Sequence, residues 1–182
     1  DGSELKLPTG SGTQGLFFQA SSGSNANLRG VGTNYGELGF FIGNSENFRL
    51  DSSGRLLVGT TSSTSPIGWN NKLQVAGTSA VAGISIRRDE ASTGGALLVF
   101  GKSRGSLNGN TVVQSGDQLG GMYFTGADGT DLNSIAAQIS VEVDGTPGSN
   151  DMPGRLIFKT TADGAASATE ALRLDSSQNA TF

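Results

Sequence analysis

The stretch Ser134–Gly145, "SIAAQISVEVDG", decides the fold class of this chain. Every odd-numbered position from Ile135 to Val143 is apolar, and polar side chains such as Gln138 and Glu142 stand between them. Side chains on a β-strand alternate between two faces, so this pattern predicts a half-buried strand with its apolar face inward. On a helix the same apolar residues would point all around the cylinder. The stretch therefore predicts a β-strand.

Shorter apolar runs of the same style predict an all-β fold of short strands and hairpins. Nearly all are bounded by Gly, Asn, Asp or Pro, which favour turns. No stretch has a convincing amphipathic helical pattern. The runs are "GLFFQA" (15–20), "LGFFIG" (38–43), "KLQVAG" (72–77), "GISIRRD" (83–89), "ALLVFGK" (96–102), "GGMYFTG" (120–126) and "GRLIFKT" (154–160).

The pentapeptide "RLDSS" occurs at residues 49–53 and again at 173–177. In the first copy, Asp51 begins a turn in which its carboxylate accepts hydrogen bonds from the backbone N–H groups ahead, and Gly54 takes a positive φ. Asp175 has the same place in the second copy. We therefore predict that Asp51, Gly54 and Asp175 are structural turn residues of two alike hairpins.

Two further features of these hairpins follow from the sequence. The second copy has Gln178-Asn179 in place of Gly54-Arg55, and Asn179 is the expected positive-φ residue because Asn tolerates that conformation better than most residues. The alternation predicts that Leu50 and Leu174, which stand between Arg and Asp, are buried.

The repeat divides the chain into modules. Residues 1–60 are expected to be the end of one module that closes in the first hairpin. The Ser/Thr-rich residues 61–72 are expected to be a linker or crossover. Residues 73–182 form a second module that closes in the second hairpin.

The composition narrows the classes of partner. The chain has 29 Gly among 182 residues and a net charge of -4, so nucleic acid and anionic membrane are not expected as partners. No apolar run approaches a membrane span. Cys and His are both absent, which excludes disulfides and argues against a zinc site or other metal and cofactor sites. A modest apolar fraction without disulfides favours burial through oligomerisation.

The sequence does not predict an enzyme. "GKSRG" (101–105) matches a nucleophile-elbow pattern, but the chain has no His to take the Ser proton. Two carboxylates would suffice for a glycan depolymerase, and that function stays open as an alternative. The candidate carboxylates all have turn neighbours, and they are Asp117, Asp128, Asp131, Asp144 and Asp151.

Binding residues are suggested by the single Trp. Trp69 is flanked by Asn70 and Asn71, an aromatic ring beside amides that could stack on a host glycan. The favoured alternative is that Trp69 packs in a joint against a neighbouring module or chain. A second candidate loop is "DGTPGSNDMPG", residues 144–154.

Three blocks together resemble the repeat module of bacteriophage tail fibres, in particular those of marine cyanobacterial phages. They are "FGKSRG", the long block at 112–164 and "EALRLDSS". The resemblance implies a homotrimeric, β-rich, intertwined or tightly packed fibre in the phage tail. It also implies other tail proteins as partners and a role in host attachment. A cellular surface adhesin with similar β modules remains the third class of function.

Overall fold

A computed structural model describes residues 15–19, 25–31, 36–78 and 82–182 of the chain. These residues form eleven β-strands, a single 3-10 turn at Pro66–Gly68 and no α-helix, so the predicted all-β fold is confirmed. In this part of the chain no helix is long and apolar enough to cross a membrane. The strands are β1 (Gly15–Gln19), β2 (Asn25–Val31), β3 (Glu37–Ile42), β4 (Ser45–Leu50), β5 (Leu56–Val58), β6 (Leu73–Val75), β7 (Gln118–Gly126), β8 (Ser134–Val143), β9 (Gly154–Thr160), β10 (Thr169–Leu174) and β11 (Ala180–Thr181).

The strands form two sheets, each built from neighbours along the chain. Strands β1 to β6 make a six-stranded sheet, and β7 to β11 make a five-stranded sheet. The pairing is antiparallel except between β5 and β6, which run parallel with Leu56 opposite Leu73. Parallel neighbours require a crossover connection. The residues between β5 and β6, with their 3-10 turn, form that crossover.

The predicted linker at residues 61–72 lies in this crossover. The chain forms two compact units. The first extends to Ser85 and the second begins at Ile86, except that Pro66–Gly68 belongs to the second unit. Residues 61–72 bring the chain back to pair β6 with β5 in the first sheet, and the module boundary drawn from the sequence stays a prediction.

The five-stranded sheet has one apolar and one charged face. Ile139 lies between Met122 on β7 and Phe158 on β9, whereas the next residue along β8, Ser140, faces the other side with Ile157. Charged side chains such as Arg155 share the face of Ser140. The register places nine larger apolar side chains on the apolar face: Met122, Phe124, Ile139, Val141, Val143, Leu156, Phe158, Leu172 and Leu174.

The apolar face is the more open one in a single chain. Val141 is 38% exposed, whereas Ser140 is 1% exposed on the charged face. The sequence predicts the reverse for β8, and in the single chain that prediction holds for Val143, which is buried, but is wrong for Val141. The reason is that Arg155 bridges to Glu142 (2.7 Å) and Asp144 (2.9 Å) on the charged face, while the described residues leave the apolar face partly uncovered.

The six-stranded sheet repeats this arrangement. Phe40 and Phe48 lie opposite each other on one face and stack with ring centroids 4.1 Å apart. On the other face Arg49 forms ion pairs with Glu46 and, at 2.5 Å, with Glu37. The apolar face is again partly open.

The leucines of both RLDSS copies lie on these open faces. Leu50 is 45% exposed and Leu174 is 41% exposed, so the prediction that both are buried is wrong for the single chain. The alternation assigned each Leu to the apolar face correctly, but the described part of the chain does not cover that face.

Two predicted strands do not form. The segments "GISIRRD" and "ALLVFGK" lie in residues 82–117, where the structure has no strand. Their apolar side chains are exposed, from Ile84 to Phe100. A strand exists only with a hydrogen-bonded neighbour, and no described segment of the same chain pairs with these residues.

Candidate functional site

The first RLDSS hairpin is closed by the carboxylate of Asp51. One oxygen accepts hydrogen bonds from the backbone N–H groups of Ser53 and Arg55, both at 2.9 Å, and the other accepts from Arg55 Nε at 2.6 Å. Gly54 has φ +67° and donates its N–H to the Asp51 carbonyl at 2.9 Å. Burial alone would raise the pKa of Asp51, but the hydrogen bonds from Arg55 and Ser53 outweigh it and lower that pKa.

The second hairpin has the same geometry. The Asp175 carboxylate accepts from the backbone N–H groups of Ser177 at 2.9 Å and Asn179 at 2.8 Å. The pKa of Asp175 is lowered, chiefly by the Asn179 hydrogen bond. The positive φ, +66°, belongs to Gln178 and not to Asn179 as the sequence suggested. The turn requires this conformation at the third residue after Asp, whichever residue occupies it.

Each turn is fastened to its own unit by a different side chain. Lys72 Nζ donates to the Ser53 carbonyl at 2.7 Å in the first turn. In the second turn the Asp144 carboxylate accepts from the Ser176 N–H at 2.9 Å. The sequence analysis did not find these contacts, because nothing local in the pattern connects residues so far apart along the chain.

The carboxylates considered for catalysis are engaged in turns and ion pairs. Asp117 is bonded by Arg104 (2.6 and 2.8 Å) and by the Gln114 N–H (3.0 Å), and these hold its pKa far below the usual range. The pKa of Asp128 is lowered first by the Thr130 N–H, at 2.8 Å. The pKa of Asp144 is lowered by Ser176 and then by Arg155.

The two remaining candidates also lie in local turns. Asp131 accepts hydrogen bonds from the backbone and side chain of Asn133, both at 2.7 Å. Asp151 forms an isolated bridge with Gly148. Among the described residues, no three His, Cys, Asp or Glu side chains come together in a group that could hold a metal ion.

The predicted binding residues lie on the crossover between β5 and β6. Trp69 follows the 3-10 turn and is 54% exposed. The side-chain oxygen of Asn70 accepts from Ser65 Oγ (2.8 Å) and from Arg55 (3.3 Å). The Asn71 carbonyl accepts from Gln74 Nε2 (3.0 Å). The Asn70 side chain and the Asn71 main chain therefore brace the crossover, and a glycan contact at Trp69 stays a prediction.

An apolar groove of about 370 Å³ lies on the open face of the five-stranded sheet. Phe100 packs against Gly120 at its margin, where a Cβ on residue 120 would lie 2.5 Å from the Phe100 Cβ. The sequence analysis did not identify this groove. The alternation of β8 was the available signal, but it does not reveal whether an apolar face is covered by the same chain. The groove is lined by Phe100, Leu119, Gly120, Gly121, Met122, Ile139, Val141 and Leu156.

These features define a class of protein, an all-β chain whose short-stranded sheets close in a repeated hairpin and leave apolar faces open. No protein-family model and no curated protein matches the sequence. The solved structures similar in fold include two of a bacteriophage tail fibre.

The first is the carboxy-terminal domain of the bacteriophage T5 L-shaped tail fibre, with a TM-score of 0.63 and 16% sequence identity over 93% of this chain and 78% of that chain. The second is the same domain with its intra-molecular chaperone domain, with a TM-score of 0.66 and 17% identity over 93% of this chain and 54% of that one. This chain thus has the fold of a phage tail-fibre domain.

Proposed function

We propose that the chain is a structural segment of a bacteriophage tail fibre, located in the virion tail, and that it acts as a homotrimer. The open apolar face of the five-stranded sheet carries this proposal. Met122 and Phe124 are 47% and 52% exposed there, and apolar patches of this kind mark association surfaces. Three such faces packed around a common axis form a shared core, with the charged faces outward.

The small internal core supports the same proposal. Within residues 36–78 and 82–182, the buried apolar side chains are only four: Leu57, Val113, Val143 and Ile157. Sheets this open cannot offset the entropy of folding through burial within one chain. The likeness in fold to the T5 tail-fibre domain supports the fibre role.

The experiment compares two charge substitutions on adjacent strands. Val141→Glu places a charge on the open apolar face, and Lys159→Glu, the control, makes a larger charge change on the opposite face. We expect wild type and the control to be trimers by native mass spectrometry and Val141→Glu to be dissociated. A folded wild-type monomer at micromolar concentration would overturn the proposal.

We also propose a role in host attachment, for which the crossover at Trp69 and the loop 144–154 are the candidate surfaces. The opposing role for Trp69 is a joint in the assembled fibre, which we favour because Asn70 and Asn71 already bind within the crossover. Trp69→Ala, assayed for adsorption to host cells and separately for trimer assembly, distinguishes the two. Unchanged adsorption with weakened assembly identifies a joint.

We also propose that the chain is not an enzyme. A glycosidase general acid needs a raised pKa, whereas the pKa values of Asp117, Asp128 and Asp144 are all lowered. This observation disfavours the depolymerase alternative. A cellular adhesin would be favoured instead if the gene lay outside a cluster of tail genes.

A further inference from the structure

The segment from Ile86 to Phe100 has the sequence of a strand but no neighbour. Between residues 86 and 100 the described chain makes a single backbone hydrogen bond, from the Ser92 N–H to the Glu90 carbonyl at 2.9 Å. The segment ends in four successive apolar residues, Leu97–Phe100, of which Leu97 is 76% and Val99 79% exposed. A continuous apolar run is typical of a strand buried on both faces.

Strand β7 offers an edge that lacks protection. It is the end strand of the five-stranded sheet and pairs with β8 on one side, and no described strand lies on its other side. Its sequence, "QLGGMYFTG", contains no charged residue and no Pro, the usual means of blocking an edge. Its nine residues are long enough to pair with the whole of Leu97–Phe100.

The segment and this edge lie close together in one chain without pairing. Phe100 is held on the apolar face at Gly120. The residues that follow are fixed by the Arg104–Asp117 ion pair (2.6 Å) and by the Gly116 N–H donating to the Val143 carbonyl (2.8 Å). The chain thus reaches β7 at one end and leaves the run before Phe100 exposed. Among the described residues, neither the run Leu97–Val99 nor the outer edge of β7 has a backbone pairing partner.

We propose that Leu97–Val99 of one copy adds as a strand to the outer edge of β7 in a second copy. The inference rests on the proposed oligomer and specifies how its chains are joined. Backbone hydrogen bonds along the edge would provide affinity, as in other cases of strand addition. Each copy donates one segment and accepts another, so the contact is heterologous and closes after a full rotation. The apolar side chains then cover the groove beside Phe100.

Disulfide scanning tests the pairing directly, because the chain contains no Cys. Single Cys residues at 97, 98 or 99 in one tagged chain are combined, by co-expression, with Phe124→Cys or Met122→Cys in a chain of different length. We expect mild oxidation to link one tagged chain to one chain of different length, which gives a heterodimer band and partly depletes the single-chain bands. Lys159→Cys on the charged face is the control that should not link.

A proline pair tests the same contact without new crosslinks. Val99→Pro removes a backbone N–H from the proposed strand, whereas Thr93→Pro, in an exposed bend of the same segment, is the control. We expect only Val99→Pro to shift the trimer towards monomer, with unchanged circular dichroism of the monomer.

The outcomes separate this inference from the proposed function. If wild type is a monomer, both fail. If wild type is a trimer but crosslinks form only within one chain or not at all, and Val99→Pro assembles normally, strand addition is refuted while the trimer stands.

Discussion

Replacing Asp51 with Ala is the most direct test of how the repeated hairpin is held. The carboxylate accepts two backbone hydrogen bonds, worth about 1 kcal/mol each in net terms. It also pairs with Arg55, which contributes at most about 1 kcal/mol because the guanidinium is partly solvated. Water can replace part of the bonding at exposed Ser53, so we expect a loss of about 2 kcal/mol in the free energy of unfolding.

Denaturant unfolding at one fixed chain concentration measures this loss, and amide hydrogen exchange at Arg55 locates it. Asp51→Asn is the matched variant, because it keeps an acceptor and loses the ion pair, so its cost should be about half as large. Asp175→Ala should cost less than Asp51→Ala, since the second turn is more exposed. If Asp51→Ala unfolds like wild type and the Arg55 amide stays protected, the carboxylate does not hold the turn.

Three further predictions concern the turn glycine, the effect of pH on stability, and hydrolysis of polysaccharide. Gly54→Gln should keep the same turn, because Gln178 already adopts φ +66° in the second copy. It should lower the free energy of unfolding by about 1 kcal/mol, because a left-handed conformation is strained for Gln. Altered amide hydrogen exchange throughout β4 and β5 would contradict this. Stability should be nearly constant from pH 6 to 8, since the chain has no His, and should fall in acid. The folded-state pKa values of Asp51 and Asp144 are lowered, so both carboxylates stabilise the fold at pH values above their unfolded-state pKa. This stabilisation is lost as the pH falls through the folded-state pKa values. Thermal melts that do not change between pH 6 and 2 would refute the prediction. Incubation with host surface polysaccharide should release no reducing ends, and release abolished by Asp128→Asn would favour a depolymerase.

The strands that the sequence predicts well are those with strong apolar alternation. Strand β8 follows from its alternation, and the two hairpins follow from Asp51 and Asp175. Strand β2, "NANLRGV", alternates over only two apolar residues, Ala26 and Leu28, which is too short a pattern to predict it, and it is recognised through its pairing with β3. Local pattern therefore identifies a strand when one face is apolar along its length, and it misses strands that exist because of their neighbours.

Burial could not be predicted from the same pattern. Alternation assigns Leu50 and Leu174 to an apolar face, but burial depends on what covers that face. The exposed run at Leu97–Phe100 has the same explanation, because a strand-like sequence needs a pairing partner and the described residues of one chain do not provide it. The Asp144–Ser176 contact was also unpredictable, since it depends on how the turn of one hairpin meets a distant loop.

Each hairpin turn is a compact, local structure, and this affects how the genes of such chains can recombine. The hydrogen bonds that shape each turn are made within residues 51–55 and 175–179. A genetic exchange between two related genes at this pentapeptide would leave every one of those bonds in place, whichever parent supplied the sequence on either side. The hairpin is thus a point where recombination can lengthen, shorten or reassort a chain while the local backbone stays the same.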